Sequence, residues 1–138
     1  MKRKIGLDLG RKTCGIAISD PLGMLARPLT TVRFAENDFE SALNQVVAIV
    51  KQEAVDDIVL GLPRHMNGDI GESGQMAIDF KQLLEEAMQV TVTLWDERLT
   101  TVAAERMLIS ADVSRKKRKQ VIDQVAAVGI LQSYLDRR

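Results

Sequence analysis

The chain has 138 residues, 46% hydrophobic and 28% charged, enough for one core of ordinary size, and no apolar run approaches the ~20 residues that a membrane span needs. Lys plus Arg equals Asp plus Glu at 19 each, so no overall basic excess attracts nucleic acid and any such binding must come from local clustering. Cys14 and His65 are the only residues of their kinds, which excludes an internal disulfide, a thiolate cluster and a multi-histidine site; a metal would be held by oxygen, which suits magnesium or manganese. The chain enters strand-like sequence almost at once, without the pattern of a secretory signal. The expectation is a single domain over 1–138 in the cytoplasm.

In "IGLDLGRKTCGIAISD" (Ile5 to Asp20), two apolar strands flank a tight turn. Ile5, Leu7 and Leu9 alternate with Gly6, Asp8 and Gly10, so the aliphatics share one face and Asp8 sits between two glycines on the other. That reading gives Asp8 open space. "RPLTTVR" (Arg27 to Arg33) predicts a third, antiparallel strand, and the next segment predicts a helix capped by Asn37 or Asp38, with Leu43, Val46, Val47 and Val50 as its apolar stripe. "DDIVLGLP" (Asp56 to Pro63) is a nearly continuous apolar run, the pattern of a strand covered on both faces.

"RHMNGDIGESG" (Arg64 to Gly74) reads as a loop, followed by a helix whose apolar side carries Met76, Phe80, Leu83, Leu84 and Ala87. Val90 to Trp95 alternates as a fifth strand, Thr100 and Thr101 can cap a helix to about Ile109, and a last helix is expected from about Gln120 to Leu135. Three strands in a meander followed by βαβ crossovers predict an α/β fold with a mixed five-stranded sheet, three strands antiparallel and two parallel, flanked by helices.

Three acidic positions stand out. Asp8 is a charge within a strand, where an unpartnered carboxylate is costly to bury. Asp123 precedes Ala126, Ala127 and Ile130 at helical spacing, so it belongs to an apolar face, one turn after Lys119. Asp96 and Glu97 follow the fifth strand, and such strand ends form the ligand crevice of open α/β sheets. Each acid alone is compatible with an ion pair or cap: Asp96 with Arg98, Asp123 with Lys119, Asp8 with turn amides. Carboxylates that converge without histidine or cysteine instead suit a site with two divalent cations about 4 Å apart. The local pattern does not choose between Asp96 and Glu97.

"DLGRKTCGIAISDP" from Asp8, "IVLGLP" from Ile58, "MNG" from Met66, "DERLTT" from Asp96 and "DQVAAVGILQSYL" from Asp123 resemble the successive motifs of the YqgF family, also called RuvX, nearly end to end. The resemblance implies a ribonuclease H-like fold and a metal-dependent nuclease, described both as a Holliday junction resolvase and as a nuclease that processes the 5′ end of the small-subunit ribosomal RNA precursor. It implies Asp8, Glu97 and Asp123 as catalytic, metal-holding acids for Mg2+ or Mn2+. Nucleic acid is the implied partner, either precursor ribosomal RNA or branched DNA, with no membrane and with a monomer or homodimer as the working form. Arg64 and His65 stand where the family more usually has an apolar residue and asparagine, and Ala126 stands where the related RuvC resolvases have a second acid.

Lys12, Arg98 and the run Arg115, Lys116, Lys117, Arg118 and Lys119 are the candidate phosphate contacts. A basic run is ordinarily a solvated connector, but this one lies directly ahead of Asp123. Lys12 between Gly10 and Gly15 also fits a plain turn, or the phosphate turn of actin-like ATPases and sugar kinases, whose second domain this length does not supply. His65 reads as an exposed polar residue that could lend a proton. Cys14 reads as core. Trp95 reads as packing rather than a base-stacking platform. A nucleic-acid-binding scaffold without catalysis would have no use for the three acids.

Overall fold

Alternation of bulky and small residues builds the sheet. The computed structural model describes residues 3–100 and 115–137, excluding the side chains at 115–123. Its strands are β1 (Ile5–Leu9), β2 (Thr13–Ser19), β3 (Ala26–Arg33), β4 (Asp57–Leu62) and β5 (Thr91–Asp96), and they lie in the order β3-β2-β1-β4-β5. β1, β2 and β3 pair antiparallel, whereas β1, β4 and β5 run parallel. This is the mixed sheet expected. Helix α1 (Phe39–Gln52) carries the chain from the β3 edge to the far side of β1, and α2 (Glu72–Ala87) joins β4 to its parallel neighbour β5.

One face packs under α1 and α2. Ile5, Leu7, Cys14, Ile16, Ile18, Ile58, Leu60 and Val92 meet Ala42, Val46 and Val50 of α1 and Ala77, Phe80 and Leu84 of α2. The opposite face is covered by α3 (Arg115–Leu135), whose Ala127, Ile130, Leu131 and Tyr134 pack on Ala17 and Val59. No described helix is long and apolar enough to cross a membrane.

The face that Asp8 shares with Gly6 is not open along its whole length. A Cβ on Gly6 would lie 2.7 Å from Leu131 Cβ and 3.0 Å from the Ala127 carbonyl oxygen. The glycine there lets a helix seat directly on β1, and the space read as free belongs to α3. The cause is tertiary: a strand's alternation tells which residues share a face, not what covers it.

Other boundaries follow from local chemistry. Of the two cap candidates, Asp38 caps α1 by accepting from the Ser41 amide at 3.1 Å, while Asn37 turns the chain with φ 61°. Pro28 sits on the edge strand β3 opposite Ala17, where the register shifts, a position that needs no ladder donor. α2 begins at Glu72, inside the segment expected to be loop, and its buried stripe is Gly74, Ala77, Phe80 and Leu84. Met76 is only half-buried. α3 begins at Arg115, so the basic run is helical rather than a connector, and helix starts about five residues earlier than the apolar periodicity marks it. The helix expected up to Ile109 falls at 101–114, outside the described residues.

Candidate functional site

The parallel strands β1, β4 and β5 all end at one edge of the sheet, the edge where open α/β sheets hold ligands. Asp8 is the penultimate residue of β1 and pairs with Gly15 of β2. Gly61 of β4 pairs with Trp95 of β5. Immediately after β5 the chain tightens into a 3-10 turn, Glu97–Leu99. Gly6, Asp8, Gly61 and Trp95 thus fall on the α3 side of the sheet, and Glu97 continues that row.

Glu97 reaches across β4 to Asp8, and Gly61 makes this crossing possible. A Cβ on Gly61 would stand 2.6 Å from Glu97 Oε1 and 3.2 Å from its Cγ, and would also press on Ile130 Cδ1. Any side chain at this position would collide with Glu97 and Ile130. Sequence reasoning missed Gly61 as a site residue. Its signal was a glycine near the end of an otherwise bulky buried strand, a pattern that marks close approach of another group.

Asp8 bears on the Glu97 carboxyl. Burial pushes the Glu97 carboxyl up to about 8, and the charge of Asp8, a hydrogen bond with Asp8 and the charge of Asp96 add to this. Asp96 behaves oppositely although it is the adjacent residue. It accepts from the Arg98 side chain, and this bond first, with the Arg98 amide and the charges of Arg98 and Arg64, holds its carboxyl below the usual range. The structure therefore separates the neighbours: Glu97 turns inward to Asp8, and Asp96 caps the turn by accepting from the Arg98 amide at 2.9 Å.

The turn is fixed from α3. Ser133 Oγ accepts from the Trp95 indole at 3.0 Å and donates to the Leu99 carbonyl at 2.9 Å, so one hydroxyl holds the residues on both sides of Glu97. Trp95 packs edge-on against Tyr134, with ring centroids 5.3 Å apart. It is packing, as expected, and Cys14 is fully buried in the core with its thiol pushed up, chiefly by burial. Thr100 Oγ1 donates back to the Glu97 carbonyl at 2.6 Å and closes the turn.

The remaining candidates divide. Lys12 is exposed on the β1–β2 turn, whose geometry is set by Gly10 N donating to Thr13 O at 2.7 Å and Phe34 N donating to Lys12 O at 3.0 Å. Arg98 is exposed beside Glu97. His65 is exposed, with its ring against Gly71 rather than over the acids. The side chains of Asp123 and of Arg115, Lys116, Lys117, Arg118 and Lys119 lie outside the described residues. Among the described residues no group of three or more His, Cys, Asp and Glu is gathered to hold a metal. The donor set nevertheless fits a hard cation: two carboxyl groups crowd one point, and oxygen donors of this kind suit magnesium or manganese.

Comparison with known proteins bears on the family and the fold. The model of the RuvX family, described as Holliday junction resolvase, matches residues 2–137. A protein of Bacillus licheniformis is 54% identical over 134 residues, covering 97% of this chain and 96% of that one, and one of Bacillus cereus is 54% identical over 136 residues, covering 99% of both. Both carry the name "Putative pre-16S rRNA nuclease". The structure of Thermus thermophilus RuvC in complex with a Holliday junction substrate superposes with a TM-score of 0.66 at 12% identity, over 96% of this chain and 92% of that one. At that identity the match speaks for the fold, which is the ribonuclease H-like architecture of resolvases.

Proposed function

Since this chain belongs to the RuvX family, we propose that it is a cytoplasmic nuclease that hydrolyses phosphodiester bonds, with Asp8, Glu97 and Asp123 holding Mg2+ or Mn2+, as two cations when substrate is bound. The observation that carries the reading is the meeting of Asp8 and Glu97 at the ends of β1 and β5, where like charges are brought together at a cost that a structural role does not explain. A bound divalent cation supplies activation of water and neutralisation of charge on the phosphoryl oxygens. Asp8 and Glu97 would hold that cation, and Gly61 leaves the room in which the Glu97 side chain lies beside Asp8. Glu97 must lose its proton for both carboxylates to act as ligands. Lys12, Arg98 and the 115–119 run align the strand by its phosphates.

The names of the 54% identical relatives favour the 5′ end of precursor 16S ribosomal RNA as substrate. The description of the family model favours a second reading, a Holliday junction. Both are tested in one assay: Asp8→Asn and the unmodified protein are incubated with Mn2+ and either 5′-extended 16S precursor RNA or a four-way DNA junction. Cation-dependent cleavage of the RNA, lost in Asp8→Asn, supports the first; paired cuts in the junction support the second. Full activity in Asp8→Asn overturns the catalytic assignment.

A further inference from the structure

Beside Glu97, two arginines converge on one carboxylate. Arg98 lies along Asp96, with Nε 3.1 Å from each carboxylate oxygen and Nη2 2.7 Å from Oδ2. Arg64, the first residue past Pro63 in the loop after β4, brings its Nε to 3.8 Å from the same Oδ2. Two guanidinium groups facing one carboxylate leave a net positive charge at the mouth of an otherwise acidic site.

The outward-facing donors of this pair are weakly engaged. Arg98 Nη1 reaches the Met66 carbonyl at 3.5 Å, and Arg64 Nη1 reaches the Gly68 carbonyl at 3.5 Å, both at the outer limit of a hydrogen bond. Both arginine side chains are more than a third exposed, 36% for Arg64 and 38% for Arg98, while Asp96 keeps 19%. Asp96 thus fixes the direction of the Arg98 guanidinium and draws Arg64 toward the same oxygen, leaving N–H donors that neutral carbonyls hold loosely. A phosphate oxygen is the stronger acceptor for a guanidinium, since hydrogen bonds between charged groups are roughly twice as strong as neutral ones.

We propose that Arg64 and Arg98 form a binding site for a backbone phosphate of the nucleic-acid strand, next to the bond that is cut, and that Asp96 is the positioning residue that aims them. This rests on the nuclease reading above. It assigns roles to three charged residues around Glu97: Asp96 is held outside the cation site, Arg98 is oriented by it, and Arg64 is the second arm. The last is a residue that sequence reasoning noted only as a departure from the family pattern.

The test uses the full chain and a fluorescein-labelled single-stranded RNA carrying the 5′ end of the 16S precursor. Binding is followed by anisotropy in EDTA over a salt series, and cleavage is measured separately with Mn2+. Arg64→Gln and Arg98→Gln should each weaken binding several-fold, and the double variant, which no longer neutralises that phosphate, should reduce the slope of log K against log salt by about 0.7. Asp96→Asn keeps the turn cap, because asparagine caps as well as aspartate, and keeps both cations, so the salt slope should stay. Its kcat should fall about tenfold or more with KM little changed, because the phosphate is bound but no longer aimed. An unchanged slope in Arg64→Gln/Arg98→Gln overturns the phosphate site, and an unchanged kcat in Asp96→Asn reduces that residue to a cap. Glu97→Gln is run alongside: if it cleaves normally the role given to Glu97 falls, and if the unmodified protein itself does not cleave with Mn2+ the nuclease reading falls, while the salt slopes still decide the phosphate site. Both arginines are exposed, so their variants report even if Asp96→Asn misfolds.

Discussion

Replacing Glu97 by glutamine should stabilise the cation-free protein at alkaline pH while removing its activity. In the folded chain the carboxyl titrates at about 8, against 4.5 in the unfolded chain. Below pH 4.5 both states carry the proton and the site costs nothing. As pH rises the unfolded state releases its proton first, so stability declines by up to about 1.4 kcal/mol per pH unit until the folded carboxyl also ionises, and is level beyond. The ceiling over the whole window is roughly 5 kcal/mol, and solvent access plus sharing of the proton with Asp8 reduce it to about 2–3 kcal/mol. Glutamine keeps the shape and can donate to Asp8 without a charge. In EDTA at pH 8.5 the variant should therefore melt about 5–10 °C above the unmodified protein, and the gap should close by pH 4. Adding Mn2+ should invert the order, because a ligand that binds only the folded state stabilises it in proportion to its affinity, and the variant has lost a ligand. Thermal melts by circular dichroism across pH, with and without Mn2+, measure all of this. A variant that melts at or below the unmodified protein at pH 8.5 in EDTA would refute the claim that Glu97 is held against Asp8 at an energetic cost.

Gly61→Ala places a methyl group 2.6 Å from Glu97 Oε1; it should cost about 1–3 kcal/mol by overpacking and lower cleavage more than tenfold, as read by urea unfolding and a Mn2+-dependent cleavage assay. Ser133→Ala removes the acceptor of the Trp95 indole and the donor to the Leu99 carbonyl; a loss of about 1–2 kcal/mol is expected, with reduced kcat because the turn carrying Glu97 loosens. Unchanged kcat would show that Thr100 and Asp96 suffice to hold the turn. Changing Arg115, Lys116, Lys117, Arg118 and Lys119 to glutamine should weaken RNA binding and flatten its salt dependence by about 0.7 for each phosphate no longer neutralised. An unaltered slope would place those side chains in solvent.

Much of this fold follows from local chemistry. Alternation located β1 and β5, the apolar runs located β2 and β4, and Asn37 or Asp38 marked the start of α1, because periodicity and caps are properties of neighbouring residues. The same alternation placed Asp8 opposite the aliphatic face and put an acid pair at the end of β5. α2 and α3 each start earlier than periodicity suggested, since Glu72 and Ser73 in α2 and the basic run in α3 show no apolar stripe. The family motif points to Glu97, but only the tertiary structure shows why it, and not Asp96, faces Asp8: that depends on a glycine in a third strand and on an arginine that engages the other acid. It also decided that α3 fills the space at Gly6 and that Arg64 joins Arg98 on Asp96. These are approaches between segments far apart along the chain, and no local pattern encodes how one reaches another.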